Sequence, residues 1–350
     1  MRKSFIAMIV FVMLAASLAG CAQSTPTTSN PTQAPAQPTT NASGNTSASA
    51  KNPVKVVFLI TQPLSPFETD IWNSINKAKT DGLASDVKLI EMKNPTEYEQ
   101  TIRQVSEDGY NVVISTFFFV HDAFNAVAPS FPDTHYVLVY EPNDKNIPNI
   151  HGILYDVQEG SYVCGVVAGK MTKTNRIGWF GGDNSPGIVK FLAGYEAGAK
   201  SVNPNITLDV QFAGTFVDPD KGHEISLALF EKGDDIVMQA ANQTGLGLFT
   251  AAKEKNKYAI GVDIDQSDQA PNNVICSALS NPGLSVYKDI SDSANGTWKG
   301  GTSNWGVKDG APAAAITDLV PADVKAAADQ AEKDIASGKV VPPTTTNTGQ

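Results

Sequence analysis

The sequence predicts an α/β protein made of two lobes, each a doubly wound parallel sheet, joined by a hinge. Three observations carry this prediction. Strand and helix patterns alternate from Val54 to the last third of the chain. The strand candidates, such as Val54 to Ile60 (VKVVFLI) and Asn111 to Thr116 (NVVIST), are nearly continuous apolar runs, as in sheets covered on both faces. Between the low-complexity ends lie about 290 residues, enough for two such lobes. Ligands of such sheets bind beyond the carboxyl ends of the strands, so the loops after each strand are where function is expected.

The chain opens with Arg2 and Lys3, an apolar run from Phe5 to Ala16, and Leu18-Ala19-Gly20-Cys21. A basic start, a short apolar stretch and small residues before a cut describe a secretory signal over residues 1–21. Leu-Ala-Gly-Cys resembles the bacterial lipobox, in which the Cys21 thiol receives diacylglycerol; the plainer alternative is an ordinary signal with a chance Cys. Residues 22–50 contain only Ala, Gln, Ser, Thr, Pro, Asn and Gly. They cannot bury a core and read as a disordered tether, as does the 342–350 tail. Of the 26 Lys and Arg, cleavage removes two, leaving 24 against 36 acidic residues, a balance of −12. That acidity argues against nucleic acid as a partner, since phosphate binding needs clustered cations.

In the first lobe, strands are expected at 54–60, 87–92, 111–116, 135–140 and 150–155. A helix through Ile71, Trp72, Ile75 and Ala78 follows the first strand, and one through Tyr98, Ile102 and Val105 follows the second. The second lobe opens with a helix carrying Ser161, Gly165 and Gly169 one turn apart. Glycine inside a helix costs roughly 1 kcal/mol relative to alanine, so this row predicts another element packed very close. A strand at 176–180, the turn Gly181 to Gly187 and a helix with Gly194 and Gly198 follow, the last placing Phe191 and Tyr195 on one face. Further strands are expected at 206–212, 236–240, 258–262 and 274–278. Lobe one is assigned 53–157 plus about 281–300, and lobe two 158–280 plus part of 301–341, with Trp298 to Ile316 loose and a last helix over Val324 to Ile335. No sequence repeat relates the lobes.

Three segments, EGSYVCGVVAGKMTKTNRIGWFGG, FLAGYEAGAKSVNP and KYAIGVDIDQ, together resemble the basic membrane protein (BMP) family, over Val54 to Val341. The resemblance implies a type I periplasmic-binding-protein fold and a substrate-binding lipoprotein of an ABC importer. It further implies a purine nucleoside or nucleobase as ligand, an ABC permease as partner, and a place on the outer or periplasmic side of the membrane. A monomer without cofactor is expected. In the family pattern Phe67, Phe216 and Asp263 match, Asp263 being the acid associated with ribose hydroxyls. Glu68 stands where the family has Asn, Tyr140-Glu141 where an Asp reads the base, and Ser280 where a Lys reaches the sugar. These departures bring a free purine base into contention with the nucleoside.

Catalytic patterns are poor. Gly182 to Gly187 has the spacing of a phosphate loop but lacks its Lys and hydroxyl. His121, His135, His151 and His223 form no metal-ligand spacing, and no nucleophile elbow occurs. Asp263 to Asp268 is like a calcium loop, but Asp268 fills the position that needs glycine. Cys164 and Cys276 read as buried free thiols or one disulfide. An enzyme is not expected. The strand-end loops instead suit a flat, hydrogen-bonding ligand. Rings are offered by Phe67, Phe117, Phe118, Tyr140 and Phe216, acceptors and amides by Glu68, Glu141, Asn242 and Asp263. Core packing is the competing account of each ring, and is preferred for Trp72 and for one of the three consecutive phenylalanines. The competing function is a tethered sensor or adhesin, which would show an exposed apolar patch.

Overall fold

The computed structural model describes residues 52–346. The signal, Cys21 and the tether lie outside the described residues, as do 347–350 of the expected tail. The chain begins with β1 (Val54–Ile60), α1 (Pro66–Thr80), β2 (Ala84–Glu91), α2 (Tyr98–Glu107), β3 (Val112–Thr116), α3 (His121–Val127), β4 (His135–Val139) and β5 (Ile150–Tyr155). It continues with α4 (Val157–Met171), β6 (Arg176–Gly181), α5 (Pro186–Val202), β7 (Thr207–Phe212), α6 (Pro219–Glu231), β8 (Ile236–Ala240), α7 (Asn242–Lys255), β9 (Tyr258–Asp263) and β10 (Val274–Leu279). The last elements are α8 (Pro282–Asn295), β11 (Gly301–Trp305), β12 (Ala314–Ile316) and α9 (Ala322–Ala336).

These strands form two six-stranded sheets, ordered β11-β5-β4-β3-β1-β2 and β12-β10-β9-β8-β6-β7. Neglecting the edge strands, both have the same doubly wound order, so the lobes repeat in structure without repeating in sequence. The first sheet is parallel throughout; in the second only β12 is antiparallel. This is the two-lobed type I periplasmic-binding-protein fold. In each lobe the winding reverses between the first and third strands, which opens a crevice at their carboxyl ends. Phe67 and Phe117 follow that pair in lobe one, and Gly182 and Asn242 in lobe two.

Burial of β1, β3, β4 and β8 is nearly complete, which is why they read as unbroken apolar runs. The stretch 298–316 departs from expectation. Instead of being loose, it supplies a strand to each sheet, β11 beside β5 with Gly301 opposite His151, and β12 beside β10. Both are edge strands with one neighbour. The polar GTSNW alternates between half-buried and exposed positions, so the apolar signal that identifies inner strands is absent there.

The small residues of α4 and α5 do bring the two helices into close passage. A β-carbon at Gly165 would lie 2.3 Å from the Tyr195 carbonyl oxygen, one at Gly194 2.2 Å from that of Gln158, and one at Gly198 2.0 Å from that of Tyr162. Phe191 and Tyr195 are both buried on the inner face of α5. Cys164 and Cys276 are buried free thiols; burial, with the neighbouring Cys164, raises the Cys276 thiol.

The chain passes between sheets at 155–157, 279–282 and 305–314. These strands are stitched together: the Asp156 N–H donates to the Trp305 carbonyl (3.0 Å), Leu279 N–H to the Ala313 carbonyl (2.8 Å), and Val307 N–H to Glu159 Oε2 (2.8 Å). Helix α8 returns to lobe one, where the Gly283 N–H donates to Asp70 Oδ2 at 2.8 Å. No helix among the described residues is long and apolar enough to cross a membrane.

Candidate functional site

Lobe one meets the crevice with rings. After β1, Ser65 caps α1: its hydroxyl accepts from the Phe67 N–H (3.2 Å), while Glu68 reaches back to the Ser65 N–H (3.0 Å) and hydroxyl. This reciprocal cap turns Phe67 inward, where its ring centroid lies 5.3 Å from that of Phe117 and 5.7 Å from that of Tyr140. Tyr140 also packs on Tyr155 at 4.5 Å. Glu68 therefore uses one oxygen as a helix cap. Its Oε1 is buried without a partner, and burial raises its pKa despite the bonds from Ser65.

Of the three consecutive phenylalanines, Phe117 joins this wall. Phe118, expected to line the site, is 65 % exposed and Phe119 47 %, their rings 4.2 Å apart and facing solvent. The reason is backbone geometry. Phe117 sits at φ 63°, and a short 3-10 turn, Phe118–Val120, then carries the next two rings outward while burying Val120. Glu141 is half-buried; burial raises its pKa, with His121 opposing and Asp144 adding to the rise.

Lobe two meets the crevice mainly with acceptors and amides. Asp263 ends β9, and its Oδ1 accepts from the Ser280 hydroxyl at 2.8 Å and, across the crevice, from the Tyr140 hydroxyl at 2.5 Å. Burial pushes the Asp263 carboxyl up to about 6; the two hydroxyl donors oppose this and the Glu68 and Asp70 carboxylates reinforce it. Asn242 opens α7. Phe216 is half-buried and lies over Gly182, where a β-carbon would come within 2.1 Å of its ring. A second bridge between lobes runs from Gln243 Nε2 to the Pro63 carbonyl at 3.3 Å. A small cavity of about 10 Å³ lies between Pro66, Phe67, Gln239, Asn242, Val262 and Asp263, room for roughly one water molecule.

Five of the residues facing or flanking the crevice, Phe117, Tyr140, Asn242, Asp263 and Asn281, hold positive φ between 47° and 69°. For bulky side chains this is rare and costs about 1–3 kcal/mol each. Each follows or ends a strand, where the chain turns sharply; Asn281 spends its side chain on the Pro312 carbonyl at 3.0 Å, whereas Tyr140 and Asp263 meet each other across the crevice. Sequence reasoning did not find Tyr155 as a ring beneath Tyr140, nor Ser280 as a partner of Asp263. Tyr155 is hidden within an ordinary strand pattern; Ser280, one residue past β10, stands in place of a family Lys, but nothing in that resemblance foretells its bond to Asp263. The like-calcium segment after Asp263 is a turn in which Asp265 Oδ1 accepts from the Ser267 N–H (2.9 Å), and no metal-holding cluster occurs among the described residues.

Comparison with known proteins places this crevice in context. Residues 54–342 match the Bmp family, described as ABC transporter substrate-binding protein PnrA-like. The chain is 33 % identical over 300 residues to the ABC transporter nucleoside-binding protein BmpA of Lactococcus lactis subsp. cremoris, covering 77 % of this chain and 85 % of that protein. Its fold is similar to an ABC transporter solute-binding protein from Aeropyrum pernix (TM-score 0.74, 20 % identity, 85 % of this chain and 95 % of that one). A solute-binding protein from Conexibacter woesei is likewise similar (TM-score 0.70, 26 % identity, 83 % and 99 %). A crevice between two hinged lobes, with rings on one side and acceptors on the other, together with a match spanning nearly all of the described residues, shows that the chain belongs to the Bmp family of PnrA-like ABC transporter substrate-binding proteins.

Proposed function

We propose that the protein captures a purine nucleoside or free purine base between its lobes and delivers it to an ABC importer permease. The observation that carries this reading is the Phe67–Phe117–Tyr140 wall of lobe one meeting Asp263 of lobe two through the Tyr140 hydroxyl. Base stacking on an aromatic ring is worth about 1–3 kcal/mol. Glu68, Asp70 and Asp263 supply negative charge at the same place, which suits a ligand rich in N–H and O–H donors. The relative from Lactococcus, named as nucleoside-binding, supports the ligand class.

Binding proceeds in three moves. The hinge opens, the guest lays its ring on the lobe-one wall, and closure brings Phe216 and the carboxylate of lobe two against it. Lipid on Cys21 would hold the protein at the outer face of the membrane, with residues 22–50 as its leash; more than one acyl chain makes such anchoring stable. Thermal melting against nucleosides, nucleobases, sugars and amino acids tests the ligand class. A rise with purines, growing with concentration as mass action requires, is expected; a rise with sugars or amino acids alone would replace it. Cys21→Ala is expected to move the protein from the membrane pellet to the soluble fraction.

A second reading, a tethered sensor or adhesin that binds a protein, is favoured by one observation. The exposed Phe118–Phe119 pair, its rings 4.2 Å apart and tilted, forms an apolar spot after β3. Removing both rings without altering solute binding, while abolishing attachment to a protein partner, would support it.

A further inference from the structure

We propose that Tyr140 is a specificity-determining residue that steers this crevice toward the free purine base and away from the nucleoside. The inference rests on the purine reading above and sharpens it. A carboxylate oxygen has two lone-pair directions. At Asp263, Oδ1 already receives two protein hydroxyls, Tyr140 at 2.5 Å and Ser280 at 2.8 Å. A vicinal diol binds a carboxylate best as a fork, one hydroxyl to each oxygen. Here one arm of that fork is taken, leaving Oδ2 for the guest.

Tyr140 is held in this role. Its ring packs on Tyr155 at 4.5 Å and lies 6.0 Å from Phe117. Its backbone sits at φ 69°, facing an Asp263 at the same angle. Ser280 is tied as well, its N–H donating to the Asp263 carbonyl at 3.0 Å. A ribose competing for Oδ1 would have to displace a hydroxyl that is anchored by its own ring. A base offering one N–H needs only Oδ2. The Tyr140–Asp263 bond itself joins the two lobes.

Calorimetry on protein refolded free of co-purified ligand tests this, using adenine, adenosine, 2′-deoxyadenosine, guanine and guanosine with wild type, Tyr140→Phe and Ser280→Ala. Wild type is expected to bind each base at least 10-fold more tightly than its riboside. Tyr140→Phe keeps the ring and removes the donor, so it should narrow that ratio about 10-fold by tightening the ribosides. The deoxynucleoside, which has no diol, should gain less than adenosine. Ser280→Ala should act in the same direction. Wild type preferring ribosides, or an unchanged ratio in Tyr140→Phe, overturns the inference and leaves the purine reading standing. Binding of none of the five compounds by wild type overturns both. Melting curves of the variants confirm that each is folded.

Discussion

Lobe one meets the crevice with a wall of rings no more than 6.0 Å apart, whereas lobe two meets it with a carboxylate, an amide and a hydroxyl, and with Phe216 as its ring. Yet both sheets are wound in the same order. Topology therefore decides where a guest sits, and the residue just past each strand decides what it is. In the function proposed above, lobe one holds the flat face of the ligand and lobe two reads its edge. Opening the hinge separates these tasks; closing it combines them.

The largest effect that would sharpen this contrast is on affinity. Phe216→Ala removes the lobe-two ring and is expected to weaken base and nucleoside alike, by roughly 5- to 150-fold for about 1–3 kcal/mol of stacking. Calorimetry that found a loss for one ligand only would assign Phe216 to the sugar or edge rather than the face.

The next effect is on stability and belongs to lobe two alone. Gly198→Ala forces a β-carbon to within 2.0 Å of a backbone oxygen on α4, whereas Gly187→Ala meets nothing within 4 Å. Overpacking of this kind costs about 1–3 kcal/mol. Gly198→Ala should melt several degrees lower and Gly187→Ala close to wild type, as measured by calorimetric scanning.

A smaller effect separates charge from shape at Asp263. Its carboxyl titrates near 6 in the folded protein, above about 3.9 for an unperturbed Asp. The folded state thus holds the proton more tightly than the unfolded one. Stability contributed by the protonated acid is fully present below about pH 4 and is lost as pH rises through about 6. Asp263→Asn should remove this loss, so the melting temperature of wild type relative to the variant should fall between pH 4 and 6 and then level off. A constant difference across that range would mean that Asp263 is not buried as described. The smallest expected effect is that of Phe118→Ser, which should leave ligand affinity within about 2-fold, because the ring faces solvent.

Inner strands were legible in the sequence because burial on both faces leaves an apolar run, and the α4–α5 contact because only small residues permit it. The edge strand β11 was not, since one neighbour and one half-buried face leave no such run. At the candidate site, Tyr140 and Asp263 stand at strand ends as the sequence pattern places them, whereas Phe67, expected in a loop, lies in the first turn of α1. What could not be read was direction. Phe117 and Phe118 are adjacent and chemically identical, and a single left-handed residue sends one inward and the other to solvent. The Tyr140–Asp263 bond joins residues 123 apart, a distance that no local pattern spans.

The left-handed backbone at Phe117, Tyr140 and Asp263 also sets a conflict between durability and use. Glycine adopts that conformation without steric penalty, so glycine at any of the three would relax the chain while deleting a side chain the crevice depends on. At Phe117 and Tyr140 the packing of the ring outweighs that relief. A laboratory selection for heat resistance alone, run without ligand, should therefore drift toward asparagine at position 263, which keeps the shape and removes the buried charge. The survivors would be sturdier scaffolds with an empty grip. Selecting for survival and capture together is the way to keep both.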